Sequence, residues 1–285
     1  MRKMVFPILL ATALFPLTAS AAGSTSAVSD DVIDQQRAML KKNTDGKGFG
    51  PQSPRDIDAA SGRNTARFNT APAYTDMNLC NIHFHKNAEH KGGEFTKFAG
   101  NGDGKGYFTG YKYSGQLTEA ELSAVSGEVC PSKHGGLSAG DTIEVHYVYT
   151  TAQVKPGPTL GACFSDATKN PQLRVETQVY VLVNDGTAKD FVELTRHKEK
   201  NGGHQAVNIP DDTGMPVQYA GSTTGPSFNE AGSPFQVTWS VRPKVAKVNI
   251  ESVGTWCKGN TFNEDHAHGV RNLVKNPDLL SNISQ

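Results

Sequence analysis

Two histidines in the first third of the chain stand at a spacing that suits a metal site. His83 and His85 are separated by one residue within residues 81–85, which alternate polar and apolar side chains as a β-strand does. Side chains on a strand alternate between its faces, so the two imidazoles share one face, about 7 Å apart along the chain. Two imidazoles so placed can bind one small cation, while Ile82 and Phe84 pack on the opposite face.

A third histidine, His146, stands in the middle of a second alternating segment, residues 141–149. It shares a strand face with Glu144 and Val148. A buried histidine costs free energy unless it is hydrogen-bonded or bound to a metal. One interpretation is a core histidine paired with Glu144. The other is a catalytic zinc site, in which three neutral imidazoles leave one coordination position open.

Such a site has a clear chemical use. Zinc on three neutral ligands lowers the pKa of a bound water to near 7, which provides hydroxide as a nucleophile at neutral pH. Hydrogen-bond acceptors behind the ligands hold each imidazole in the required tautomer. Asn81 and Glu144 each precede a ligand by two residues on the same strand face. We therefore expect each of them to accept an N–H from a ligand histidine.

The elements that position these residues are short strands, rich in Val, Thr, Ile and aromatic residues and bounded by turn residues. The 29 glycines and 15 prolines indicate many turns. A modest amphipathic pattern predicts one helix over residues 31–42. The predicted fold is mainly β (α+β), a single domain on a large, mostly antiparallel twisted sheet with a few short surface helices. The predicted strands cover residues 79–85, 142–150, 174–183, 235–241 and 246–253.

The same segments resemble a known family. Residues 81–85 (NIHFH) are similar to the QFHFH strand of the α-class carbonic anhydrases, and residues 144–148 (EVHYV) resemble the ELHLV strand that supplies their third zinc ligand. Residues 52–57 (QSPRDI) resemble that family's QSPIDI segment. Residues 219–226 (YAGSTTGP), followed by VTW at 237–239, resemble its YxGSLTTPP and VxW region, although the leucine is missing and Gly225 replaces the first proline.

The sequence of residues 83–91 (HFHKNAEHK) is more similar to the δ-class carbonic anhydrases of algae and their bacterial relatives. The resemblance implies an α-carbonic-anhydrase-like fold with one zinc ion per chain on His83, His85 and His146. It implies reversible hydration of carbon dioxide to bicarbonate and a proton by zinc-bound hydroxide. Carbon dioxide and bicarbonate would then be the small-molecule partners.

The resemblance also implies roles for further residues. Thr223 matches the threonine that accepts a hydrogen bond from the zinc-bound hydroxide and donates its own proton to a buried glutamate. Glu89 is the best match for that glutamate, with Glu94 as the alternative. Thr224 would line the substrate side of the site. The apolar wall on which carbon dioxide rests would consist of Val148, Val237 and Trp239.

The reaction also requires a proton shuttle, usually a histidine at the cavity mouth. The sequence does not choose among the remaining six histidines. His266 and His268 repeat the one-residue spacing, but they follow polar loop residues, so we interpret them as surface residues. The shuttle candidates are His90, His134, His197, His204, His266 and His268.

Four cysteines lack the paired spacing of a structural zinc site, and their even number favours disulfides in an oxidising compartment. Three pairings are open, and we favour Cys80 with Cys257 and Cys130 with Cys163.

The first residues have the pattern of an export signal. Two basic residues precede an apolar stretch and the small-residue sequence Ala-Ser-Ala, which predicts a signal peptide over residues 1–22 and a carbonic-anhydrase-like domain over residues 23–285. No later stretch is apolar enough to cross a membrane. We therefore expect a periplasmic or secreted protein.

The balance of charge limits the partners. Lys plus Arg and Asp plus Glu both number 28, which argues against a nucleic-acid partner. The sequence does not decide between a monomer and a homodimer. Two alternative functions stay open: a catalytically weak or inactive relative that acts as a binding protein, and a cupin-like metal protein in which Glu89 and His146 complete the site.

Overall fold

A five-stranded sheet forms the centre of the protein, in a computed structural model that describes residues 26–223 and 228–283. Its order is β1-β4-β5-β9-β8, and β2-β3 and β6-β7 form separate hairpins. In chain order, the strands are β1 (Asn78–Lys86), β2 (Lys97–Phe98), β3 (Tyr111–Lys112), β4 (Thr142–Thr150), β5 (Leu173–Val183), β6 (His197–Lys200), β7 (Gly203–Ala206), β8 (Val217–Ser222) and β9 (Gln236–Asn249).

Every neighbouring pair in the central sheet is antiparallel except β5 with β9. The crossover between those two parallel strands contains a short helix, the β6-β7 hairpin and β8. The predicted mainly β fold with a mostly antiparallel sheet is therefore confirmed. The signal peptide predicted over residues 1–22 lies outside the described residues. Within the described part of the chain, no helix has the length and apolar character needed to span a bilayer.

The helices are few and peripheral. They are α1 (Asp30–Thr44), α2 (Phe191–Leu194) and α3 (Ile250–Cys257). The predicted helix over residues 31–42 falls within α1, which buries Ile33 and Leu40. Acidic residues in its first turn and basic residues in its last turn complement the helix dipole.

Both faces of the central strands are covered, so β4 and β5 are buried along their whole length. Alternation divides β4 between the faces, because Val145 and Tyr147 join one apolar cluster and Val148 joins the other. The first cluster packs against α2 and α3 through residues such as Trp256. The second cluster, which contains Trp239, lies on the face that carries His146.

One predicted strand is wrong at its end. Residues 246–253 were expected to be extended, but β9 ends at Asn249 and α3 begins at the next residue. The Asn249 side chain accepts a hydrogen bond from the backbone N–H of Ser252 at 2.9 Å, which caps the new helix. The apolar residues beyond Asn249 read as a strand because a short buried helix and a buried strand have similar composition.

All four cysteines form disulfides, but the favoured pairing is wrong. The bonds are Cys80–Cys163 and Cys130–Cys257. Cys80 and Cys163 belong to the second cluster, whereas Cys130 and Cys257 pack with the first. The sheet separates the two clusters, so the expected bond between Cys80 and Cys257 would have to cross it.

The Cys130–Cys257 disulfide joins a loop to the end of α3, on the face of the sheet away from the histidines. Replacing both cysteines with alanine removes the crosslink from the unfolded chain, so we expect the free energy of unfolding to fall by about 2–4 kcal/mol. Urea unfolding measures this change. Equal stability of the variant and the parent protein would contradict a structural role for this bond.

Candidate metal centre

The register of β1 against β4 brings the three histidines together. His83 lies directly opposite His146, and His85 lies opposite Glu144. Opposite residues in an antiparallel pair point to the same face, so His83, His85 and His146 share one side of the sheet. Their ring centroids are 4.7–5.1 Å apart.

One nitrogen of each ring faces the other two rings. His83 Nε2 and His146 Nδ1 are 3.3 Å apart, and the ligand atoms of the three histidines all lie within 4.8 Å of one another. His85 Nε2 is buried and has no hydrogen-bond partner. Two nitrogens bound to one tetrahedral zinc ion at 2.0–2.1 Å would be roughly 3.3 Å apart.

The other nitrogen of each ring contacts an acceptor. His83 Nδ1 is 2.6 Å from Asn81 Oδ1, and His146 Nε2 is 2.6 Å from Glu144 Oε1, so the two hydrogen bonds expected from the sequence are present. His85 Nδ1 is 2.7 Å from the carbonyl oxygen of Gly269. That third acceptor was missed, because a backbone carbonyl in a remote segment leaves no signal in the sequence.

These acceptors decide which nitrogens are free. A neutral imidazole carries one N–H, so an outer N–H donated to an acceptor leaves a lone pair on the inner nitrogen. Burial, followed by the neighbouring His146 and His85, lowers the pKa of His83 well below its usual range. Burial also lowers the pKa of His85 to about 4, although the charge of Glu89 opposes it. The donor set therefore fits a zinc ion.

Behind His146 lies a buried hydrogen-bonded chain that the sequence did not reveal. Glu144 Oε1 is 2.7 Å from His90 Nδ1, and the backbone N–H of His90 donates to Glu144 Oε2 at 3.1 Å. His90 Nε2 is 2.7 Å from the Tyr219 hydroxyl, which donates to Ser53 Oγ at 3.1 Å. His90 is fully buried. The sequence signal that could have pointed to His90 was its position next to Glu89, in the Ala-Glu-His triplet.

The same chain keeps Glu144 ionised. Burial alone would raise the pKa of Glu144, but His90 and the hydrogen bonds from His146 and His90 lower it below its usual range. His90, Glu144 and His146 could themselves be read as a second metal cluster. Their ligand atoms already bond to one another, however, so we assign them to the support of the first site.

Glu89 is buried beneath the histidines. Its Oε1 accepts the backbone N–H of Arg271 at 3.0 Å and lies 3.7 Å from His85 Nδ1. The hydrogen bond from Thr223 to Glu89 stays a prediction, and Thr223 Oγ1 lies 2.5 Å from Ser233 Oγ. The alternative, Glu94, accepts the backbone N–H of Val245 and is half-buried, apart from the site.

A cavity of about 180 Å³ opens over the histidines. The three residues expected to form its apolar wall all line it, and Thr223 does too. Thr224 lies outside the described residues. The apolar lining consists of Val148, Leu160, Leu173, Val175, Val237 and Trp239.

Of the shuttle candidates, His268 alone lines this cavity in the described part of the chain. Its side chain is 38% exposed, so it is both a surface residue and part of the cavity lining. Its ring centroid is 5.5 Å from that of His83, and its Nε2 lies 2.6 Å from Glu264 Oε2. Burial alone would lower the pKa of His268, but the hydrogen bond and charge of Glu264 raise it. His134 instead stacks on Tyr107 with ring centroids 3.4 Å apart.

Glu144 should control metal affinity through His146. Glu144→Gln removes the carboxylate charge and puts an amide where the carboxylate accepts hydrogen bonds from His146 and His90. We therefore expect zinc affinity to fall roughly 10–100-fold. Competition with a chromophoric chelator measures the affinity. Glu94→Gln, which changes a carboxylate away from the site, is the matched control and should bind zinc as the parent protein does. Equal affinities for all three proteins would contradict this role of Glu144.

Comparison with known proteins gives the family of this chain. The model of the delta carbonic anhydrase family matches residues 74–252, more than half of the chain. No curated protein matches this chain. Solved structures with similarity include an α-carbonic anhydrase from Thermovibrio ammonificans in complex with sulfanilamide (16% identity, 78% of this chain and 84% of that chain, TM-score 0.28). The Photobacterium profundum α-carbonic anhydrase follows at 14% identity, 80% and 88% coverage and TM-score 0.27. The family match, which spans both histidine strands, places this chain in the delta carbonic anhydrase family.

Proposed function

We propose that the protein is a zinc-dependent carbonic anhydrase that hydrates carbon dioxide reversibly to bicarbonate and a proton. Membership of the family supports carbon dioxide hydration in general. The observation that carries the zinc-dependent mechanism is the convergence of three imidazole nitrogens, each with an acceptor bonded to the opposite side of its ring.

In this proposal His83 and His85 would hold one zinc ion through Nε2, and His146 would hold it through Nδ1. The ion would supply Lewis acidity, which lowers the pKa of a coordinated water to near 7. Asn81 and Glu144 hold their histidines in the required tautomer. Because the ligands are neutral, they leave the positive charge of the metal available for that chemistry.

The cavity supplies the second reactant. Val148, Val237 and Trp239 are almost fully buried and line the space beside His146, where an apolar molecule such as carbon dioxide would be favoured over water. Thr223 lies at the edge of the same space. We propose that its hydroxyl orients the attacking oxygen, with Ser233 as its observed hydrogen-bond partner. Glu89 supports the site from below through His85 and Arg271, and Thr224 is proposed to line the substrate side.

Two alternative functions, a cupin-like metal protein and an inactive binding protein, fit the observations less well. A cupin-like protein is ruled out by membership of the carbonic anhydrase family. An inactive binding protein usually loses one or more ligands, whereas all three histidines and their acceptors are present in this chain. The activity assay below separates an enzyme from a binding protein.

We also propose that residues 23–285 form the mature domain and that the protein is exported after removal of residues 1–22. The two disulfides support an oxidising environment, since such bonds persist mainly outside the cytosol.

The central test combines metal content with activity. The zinc-loaded protein should contain one zinc ion per chain and accelerate carbon dioxide hydration in a stopped-flow assay, and an aromatic sulfonamide should inhibit it. His146→Ala should lose both the zinc and the activity, because two histidines alone do not complete the site. Activity that survives in His146→Ala would show that the ligand assignment is wrong. A parent protein that binds zinc but does not hydrate carbon dioxide would favour a binding protein.

The role of Thr223 is tested separately. Thr223→Ala should keep zinc bound and slow hydration about a hundredfold, because a misplaced attacking group reacts poorly. Thr223→Ser keeps the hydroxyl and should restore most of the rate. Thr195→Ala removes another buried hydroxyl, beside the first apolar cluster, and serves as the control. An unchanged rate in Thr223→Ala would remove this residue from the mechanism.

A further inference from the structure

One side of the cavity is formed by a segment that is bonded to β1 at a bulge in that strand. The pairing of β1 with β4 shifts register between Leu79 and Asn81, which leaves Cys80 as an extra, bulged residue. Leu79 therefore packs in the same cluster as Ile82, and Cys80 turns to the metal-bearing face, where it bonds to Cys163. Bulges of this kind redirect a side chain beside active sites.

Residues 157–163, called the wall segment here, carry Cys163 at their end. Two further contacts attach the start of this segment to β1. The backbone N–H of Gly157 donates to the carbonyl oxygen of Cys80 at 3.0 Å, and Asn81 Nδ2 donates to the carbonyl oxygen of Gly157 at 3.0 Å. The amide of Asn81 thus contacts the wall segment on one side and His83 on the other.

Between these attachments the wall segment enters the cavity. Thr159 and Leu160 both line the cavity over the histidines. Thr159 has φ 59° and ψ 173°, a backbone conformation that is found almost only in glycine and is most unfavourable for a β-branched residue. A residue persists in such a conformation only where its surroundings hold it there.

We propose that the Cys80–Cys163 disulfide is a positioning element of the metal cavity, which holds Thr159 and Leu160 in place against β1. Both cysteines are fully buried, so the bond is shielded from reductants in the solvent and is a structural crosslink. Its loss would let the wall segment relax away from the cavity while leaving the three histidines on their strands. The Cys130–Cys257 disulfide, on the other face of the sheet, would have no such effect.

This proposal rests on the proposed function only in taking the three histidines as the metal ligands. The experiment therefore begins with the parent protein. One zinc per chain and a saturable azide titration of the cobalt-substituted protein establish the metal site. Failure at this step refutes the proposed ligand set, whereas the comparisons that follow test the disulfide alone.

The test compares C80A/C163A with the matched control C130A/C257A. Visible absorption of the cobalt-substituted proteins reports binding of azide, which is small, and of benzenesulfonamide, which carries a ring into the cavity. We expect C80A/C163A to bind benzenesulfonamide about ten times more weakly and azide as the parent does. The control should match the parent for both ligands, although it is less stable. Adding Thr159→Gly to C80A/C163A should recover part of the lost affinity, because glycine adopts this backbone conformation without strain.

Two results would overturn the proposal: equal benzenesulfonamide affinity in C80A/C163A and the parent, or equal losses in both double variants. If C80A/C163A does not fold, Leu160→Ala with the disulfide intact gives a second test of the wall segment. It should weaken benzenesulfonamide binding without changing azide binding. Unchanged binding of both ligands in Leu160→Ala would also refute the proposal.

Discussion

The site depends on three imidazoles whose lone pairs face one another in a buried space. In its neutral form each ring would donate its one N–H outward, to Asn81, Glu144 or the carbonyl of Gly269. The inner nitrogens are then all acceptors, and His83 Nε2 and His146 Nδ1 lie only 3.3 Å apart. Such an arrangement is unfavourable by itself, because buried acceptors without donors cost free energy. A cation bound between the nitrogens removes that cost.

Several parts of the fold hold these acceptors in place. The register of β1 against β4 sets the positions of His83 and His146. The hydrogen-bonded chain from Glu144 through His90 to Tyr219 reaches β8, at the opposite edge of the central sheet. The segment after α3 lies beside β1, since His268 exchanges backbone hydrogen bonds with Phe84 and Lys86. That segment delivers the Gly269 carbonyl to His85. Residues far apart in the chain are thus fixed around one small space.

Strand periodicity made part of this site predictable. A period of two determines which side chains share a face, so His83, His85 and Asn81 could be assigned to one side, and His146 with Glu144 likewise. Alternation alone would place Cys80 on the face of Ile82, but the bulge turns it toward Cys163. Contacts made by loops could not be predicted either, since the hydroxyl of Thr223 meets Ser233 and His268 enters the cavity only through tertiary packing.

The most direct test of the account is anomalous X-ray scattering at the zinc edge from crystals of the zinc-loaded protein. The account predicts one strong peak, about 2.0–2.1 Å from Nε2 of His83, Nε2 of His85 and Nδ1 of His146. The absence of a peak there, or a peak between His90 and Glu144 instead, would contradict it.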